Sequence, residues 1–228
     1  MPDIFSKYIL EIACFEAKSC LLAEQAGADR IEFCADYEAG GITPAYEDIL
    51  HVKKTLKIPL HVIIRPRSGN FVYTEKEIDI MRQLIWWCKE NKVNGVVFGI
   101  LNPDNSVNFE ANKQLLELAK PMSVTFHRAI DQCRDIKKGF ETIIELGFDK
   151  VLTSGGQQNA LEGIEFLQHL QKQFGNKITI IPGGGIRSFN IEKLLGVINC
   201  FEFHSAATVN NEINTEEIQR LKHIIRNE

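Results

Sequence analysis

Eight times along this chain, a short β-branched or aromatic run gives way to an amphipathic helical pattern. The strand-like runs fall at 8–13, 29–34, 60–65, 95–98, 122–126, 150–153, 178–181 and 201–204. They recur at roughly 25 to 30 residues, and alternation of that kind implies a parallel sheet with helical crossovers. Local signals mark the helices between them. Glu16 to Ala26 stops at Gly27, a natural helix terminator. Thr43-Pro44 reads as an N-cap followed by a first-turn proline. Thr74-x-x-Glu77 is a capping box. Asn108, Asn159-x-x-Glu162, Ser188 and Asn214-x-x-Glu217 open four more helices, and Gly147 closes the one over 136–146. Eight units in 228 residues fit a compact (β/α)8 TIM barrel of the α/β class, with a doubly wound sheet as the alternative. No linker or composition break divides the chain, so a single domain over residues 1–228 is expected.

The barrel reading makes a prediction about side-chain direction. Residues alternate along a strand between the helix layer and the barrel interior. Ile31 and Phe33 then face the helices, which turns Glu32 and Cys34 inward. The same parity turns Glu11, His61, Arg65, Thr125, His127, Glu202 and His204 inward. Barrel interiors are ordinarily filled by branched apolar residues. Isolated buried charges cost several kcal/mol, so this set must pair or hydrate.

Composition narrows the function. The formal net charge is −4, which argues against a general nucleic-acid binder. No run of about 18 apolar residues is present, so no membrane span is expected. Met1 to Lys7 lacks the charged and apolar regions of a signal peptide, and the cytoplasm is the expected location. The six cysteines form no C-x-x-C pair and read as free thiols.

Three constellations carry chemistry. The first is rich in glycine. Pro182-Gly183-Gly184-Gly185 follows the seventh strand, His204-Ser205 ends the eighth, and Thr153-Ser154-Gly155-Gly156 follows the sixth. Loops after strands seven and eight are the usual phosphate position in this fold. Backbone N–H groups of Gly155, Gly184 and Gly185, with the Ser154 and Ser205 hydroxyls, are therefore the expected donors to a small anionic ligand. The same glycines also fit plain tight turns. The second constellation is charged. Glu32, Arg65, Arg67, His127, Arg128 and Asp131 lie at strand ends, where a carboxylate beside a histidine can poise a general base near neutral pH. His127 with Glu32 or Asp131 would move protons, and Arg65 and Arg67 would hold an anion. Lysine ends none of the strands, although Lys150 begins one. The third is a thiol pair. Cys14 and Cys34 end adjacent strands, and two thiolates suit Cu(I), though the spacing equally fits two unconnected core residues. The adjacent Trp86 and Trp87 lie on one helix and cannot both face the barrel; an exposed one would point to an oligomer contact.

These motifs resemble the CutC family, long called copper homeostasis proteins. The matching stretches are Gly27-Ala28-Asp29-Arg30-Ile31-Glu32-Phe33-Cys34, Gly40-Gly41-Ile42-Thr43-Pro44, His61-Val62-Ile63-Ile64-Arg65-Pro66-Arg67, Val97-Phe98-Gly99, Thr125-Phe126-His127-Arg128-Ala129, Leu152-Thr153-Ser154-Gly155-Gly156, Pro182-Gly183-Gly184-Gly185 and His204-Ser205. The resemblance implies the barrel, cytoplasmic location and self-association as a homodimer or homotetramer. It also implies a link to copper tolerance, with Cu+ bound by cysteines. Two departures stand out. Asp104-Asn105 replaces the family's Asp-Gly, and the segment after Ser205 is short, so the last helix is expected to cover the barrel less fully. The residues alone favour a different reading: an isomerase-like or lyase-like enzyme acting on a small phosphorylated or carboxylated metabolite.

Overall fold

In the computed structural model, which describes residues 8–226, eight parallel strands alternate with helices around one barrel. The order is β1 (Ile9–Cys14), α1 (Ala17–Gln25), β2 (Arg30–Phe33), α2 (Tyr46–Thr55), β3 (Leu60–Ile63), α3 (Glu75–Glu90), β4 (Gly95–Phe98), α4 (Phe109–Ala119) and β5 (Ser123–Phe126). It continues with α5 (Ile136–Leu146), β6 (Lys150–Thr153), α6 (Ile164–Phe174), β7 (Thr179–Pro182), α7 (Ile191–Leu195), β8 (Glu202–Ser205), the hairpin β9 (Thr208–Val209) and β10 (Glu212–Ile213), and α8 (Thr215–Arg226). Neighbouring strands run β7-β6-β5-β4-β3-β2-β1-β8, which excludes the doubly wound alternative. The seam lies between β7 and β8. The signal-peptide reading rests on Met1 to Lys7, outside the described residues.

The alternation predicted from sequence is what holds the barrel together. Leu10, Ile12, Ile31, Phe33, Leu60, Val62, Val96, Phe98, Val124, Phe126, Val151 and Phe203 point outward into one apolar layer beneath the helices. Burying such side chains contributes roughly 1.5–3 kcal/mol each and is the main drive for closure. The inward positions take the polar set, joined by two residues the pattern missed, Arg30 and Lys150.

Three helix starts differ from expectation. Helix α2 begins at Tyr46, not at Pro44, because the Thr43 hydroxyl is occupied across the loop. It accepts from the Arg65 backbone N–H at 2.8 Å. The Asn159 side chain accepts from the Glu162 N–H, but that caps only a turn, and α6 starts at Ile164. Ser188 does not open α7, which starts at Ile191; its N–H and hydroxyl both donate to Glu217 on α8. Thr74, Asn108 and Asn214 cap as expected. The short segment after Ser205 folds into the β9–β10 hairpin, a feature the sequence reading lacked. Asn105 sits at φ +59°, a left-handed conformation that asparagine tolerates better than most residues. Trp86 is exposed and Trp87 packs against the core, so the two tryptophans do face different ways. No helix among the described residues is long and apolar enough to cross a membrane.

Candidate active site

The C-terminal ends of the strands form a mouth with a cavity of about 150 Å³. Ala13, Phe15, Glu32, Cys34, Ile63, Arg65, Phe71, His127, Arg128 and His204 are among the residues that line it. Beneath it lies a charged core. Arg30 Nε donates to Glu11 Oε2 at 2.5 Å, and its Nη2 donates to Glu202 Oε2 at 2.6 Å. Lys150 Nζ donates to Glu202 Oε1 at 2.9 Å, which commits that lysine to the core. Burial works against the charge on Glu11, but Arg30 and His204 outweigh it and hold the carboxyl far below the usual carboxylate range.

This core orients His204. Its Nδ1 lies 2.8 Å from Glu11 Oε1, and its Nε2 lies 3.5 Å from Glu32 Oε2. Burial raises the Glu32 carboxyl to about 7, with His204 opposing and Glu11 adding to the rise. Burial disfavours the His204 cation, yet Glu32 and Glu11 more than offset this and raise it above the ordinary histidine value. Glu32 is thus set to gain and lose a proton near neutral pH beside a histidine that favours its cation, the condition for acid–base work.

His127 is the opposite case. Its Nδ1 accepts from the Ala129 backbone N–H at 3.3 Å, which leaves the proton on Nε2. Burial and then the Arg65 charge push it down to about 3, so it is neutral at physiological pH. Its Nε2 is buried with no hydrogen-bond partner among the described residues. Gly99 makes room for the ring, since a Cβ there would fall 2.9 Å from His127 Nδ1.

Arg65 is buried, and among the described residues it forms no salt bridge. Its Nη atoms donate to the carbonyls of Ala39, Gly40, Gly41 and Gly69, while its Nε has no partner among the described residues. Phe71 packs against both site residues, 4.9 Å from the Arg65 guanidinium carbon and 4.6 Å from the His127 ring.

The remaining sequence candidates are spread out. Arg67 turns away to Glu77 at 2.5 Å and to the Ser68, Asn70 and Val72 carbonyls. Asp131 accepts from Thr153 Oγ1, the Ser154 and Gly156 N–H groups and Arg128 Nε, so both its oxygens are committed. The Gly155 N–H donates to Thr153 Oγ1, and Ser154 Oγ is held by Arg128 and Gln157. Ser205 Oγ donates to the Ile186 carbonyl and accepts from the Ala207 N–H. Gly184 and Gly185 both have positive φ, and Arg128 lies over Gly184.

The thiols do not converge. Cys14 faces outward into the apolar layer near Cys20, whereas Cys34 faces the mouth. Burial first, then neighbouring thiols or carboxylates, drives both well above the ordinary thiol value. Two protonated thiols on opposite faces of the sheet do not fit a two-thiolate Cu(I) site. Glu11, Glu32 and His204 bring ligand atoms within 4.8 Å of one another, a harder donor set, although Glu11 is already held by Arg30. His204, Glu11 and Phe71 were absent from the catalytic and anion-binding candidates read from the sequence, whereas Arg128 was placed on the rim. Strand parity signalled the first two, and nothing in the sequence signalled Phe71.

The sequence matches the CutC family over residues 8–209. The chain belongs to the CutC family. A family protein CutC from Parabacteroides distasonis is 47% identical over 202 residues, covering 88% of this chain and 83% of that protein. The human copper homeostasis protein cutC homolog is 38% identical, over 88% of this chain and 73% of its own. The crystal structure of CutC from Streptococcus agalactiae superposes with a TM-score of 0.83 at 30% identity, covering 87% of this chain and 98% of that one.

Proposed function

We propose that this CutC family member is an enzyme performing proton-transfer chemistry on a small anionic metabolite at the barrel mouth. The observation that carries the reading is Arg65, a buried guanidinium with no carboxylate partner, lining the same cavity as the Glu32–His204 pair. A buried cation facing a cavity calls for an anion to neutralise it. Glu32, backed by His204, serves as general base. Arg65 and Arg128 hold the anionic end, with the Gly184 and Gly185 backbone and Ser205 beside them. The protein acts in the cytoplasm as a homodimer or homotetramer, and exposed Trp86 offers a contact between copies.

The test is a thermal-shift screen of phosphorylated and carboxylated metabolites, with Arg65→Met as control. A ligand at a hundred times its Kd adds roughly 2.7 kcal/mol of stability, and the shift should vanish in the variant. A screen in which no anion raises the wild-type Tm overturns the proposal.

A second reading is Cu(I) handling. The name of the human relative supports it, together with Cys34 in the mouth. It predicts that Cys34→Ala abolishes Cu(I) binding, Cys14→Ala leaves it intact, and His127→Ala leaves it intact. Unchanged affinity in Cys34→Ala removes this reading.

A further inference from the structure

The mouth holds two titratable centres of opposite character, and together they specify a reaction class. Resting on the proton-transfer reading above, we propose that the site forms an enolate. Glu32 removes a proton from a carbon next to a carbonyl, and neutral His127 with Arg65 stabilises the oxygen that becomes negative. His127 is built as an electrophile rather than a base. Its Nδ1 is occupied by the Ala129 N–H, and the remaining nitrogen, the Nε2–H donor, is buried without a partner among the described residues. Its depressed basicity, from burial and then Arg65, keeps it neutral through the range in which Glu32 titrates. A neutral imidazole held in this way polarises a carbonyl without giving up its proton in the ground state. Phe71 covers both His127 and Arg65, which strengthens their electrostatic effect on a developing oxyanion.

The step balances within the site. The C–H bond breaks, and its proton goes to the Glu32 carboxylate. The C–H electron pair becomes the C=C bond, and the carbonyl π pair moves to oxygen, where His127 Nε2–H and the Arg65 guanidinium meet it. Return of the proton from Glu32 to the same carbon gives exchange. Where the carbon that loses the proton bears a hydroxyl, return of the proton to the former carbonyl carbon, as that hydroxyl's proton passes to the first oxygen, gives a 1,2-isomerisation. No redox partner is consumed in either case. The cavity of about 150 Å³ accommodates the reacting end of a small α-hydroxy carbonyl compound, with the rest of the ligand in the open mouth.

The test compares glycolohydroxamate, a planar enediolate mimic, with glycolamide, which has the ground-state carbonyl alone. Isothermal titration should show the hydroxamate binding at least ten-fold tighter to wild type, with that preference lost in His127→Leu. The 15N spectrum of wild-type His127 should show a neutral ring protonated on Nε2, with that proton moving downfield when hydroxamate binds. This second readout needs no variant to fold. Equal affinity for the two probes, or an imidazolium at His127 in neutral solution, overturns the enolate step. If metabolite anions still stabilise the protein in that case, the broader proton-transfer site survives. If no anion stabilises it either, both fall.

Discussion

Asp131 occupies the cluster of donors that Ser154 opens after β6: its carboxylate receives the Ser154 N–H at 3.1 Å, while the Ser154 hydroxyl lies 3.0 Å from it and 2.5 Å from the Gln157 carbonyl. The Gly156 N–H and the Thr153 hydroxyl complete the set. The loop after β6 therefore has an internal anion where the sequence suggested a ligand's. Arg128 ties this arrangement to the β7 loop, because it donates to Asp131 and lies over Gly184.

Asp131→Ala should accordingly act as a structural mutation. It strands several donors at once, and leaving buried donors unpaired costs about 1–3 kcal/mol for each group. A loss of about 2–4 kcal/mol in urea unfolding is expected, with faster amide exchange at Ser154 and Gly156. Unchanged protection of those two amides would show that the carboxylate does not organise the loop.

Glu32 makes stability depend on pH in an unusual sense. Its folded value of about 7 lies above the ordinary 4.5, so its contribution is greatest below 4.5 and is lost as pH rises through 7. The groups facing it are Glu11 from β1, Arg30 from β2 and His204 from β8. His204 works in the same direction, since its raised value gives a contribution present below 6.5 and lost as pH rises. Buried His127 and His61, lowered to about 3 and about 4, work the other way and gain as pH rises to 6.5. The Glu32 part is therefore read as a difference: between pH 5 and 8 the wild-type Tm should fall by a few degrees relative to that of Glu32→Gln, because one kcal/mol moves Tm by about 2–4 °C at this chain length. A wild-type Tm that instead rises relative to the variant over this interval contradicts the assignment.

Gly99→Ala tests whether the position of His127 is built in from behind. The added Cβ would lie 2.8 Å from the Phe126 ring and 2.9 Å from His127 Nδ1, so one ring must shift. Overpacking of this kind costs about 1–3 kcal/mol. Calorimetry should show that loss, and the 15N signal of His127 should move even without ligand. A variant with wild-type stability and an unmoved His127 signal would mean that the strand end relaxes freely.

Much of this arrangement was legible before the structure. A period of two turned Glu11, Glu32, His61, Glu202 and His204 inward, because the larger apolar residues between them needed the helix layer. The same reasoning missed Arg30 and Lys150, since a charge at the first position of a strand looks like a solvent boundary. It could not separate Asp131 from Glu32 either. Both are carboxylates at strand ends, and only the folded chain shows that Ser154, 23 positions away, satisfies Asp131 while Glu32 meets the open mouth. Thr43-Pro44 has the composition of a helix start, but a tertiary bond to the Arg65 backbone claims its hydroxyl.

Arg30 is the residue on which the charged core turns. It bridges Glu11 and Glu202, and all three side chains are at most 10% exposed. Removing one member of such a group leaves the others buried and unbalanced, which costs about 3–5 kcal/mol. Arg30→Met keeps most of the volume and removes only the charge, so it isolates that electrostatic part. Its effect should grow as pH rises through the carboxylate range and level off above it. Glu11 is held far below 4.5 in the folded protein, so its contribution is present above that value and lost as pH falls. Without Arg30 this advantage shrinks, and acid unfolding should set in at a higher pH than in wild type. The check is a pH titration of the folded fraction by circular dichroism. If the acid midpoint stays in place while stability at pH 7 drops, the loss comes from packing, and the charge pairing contributes little.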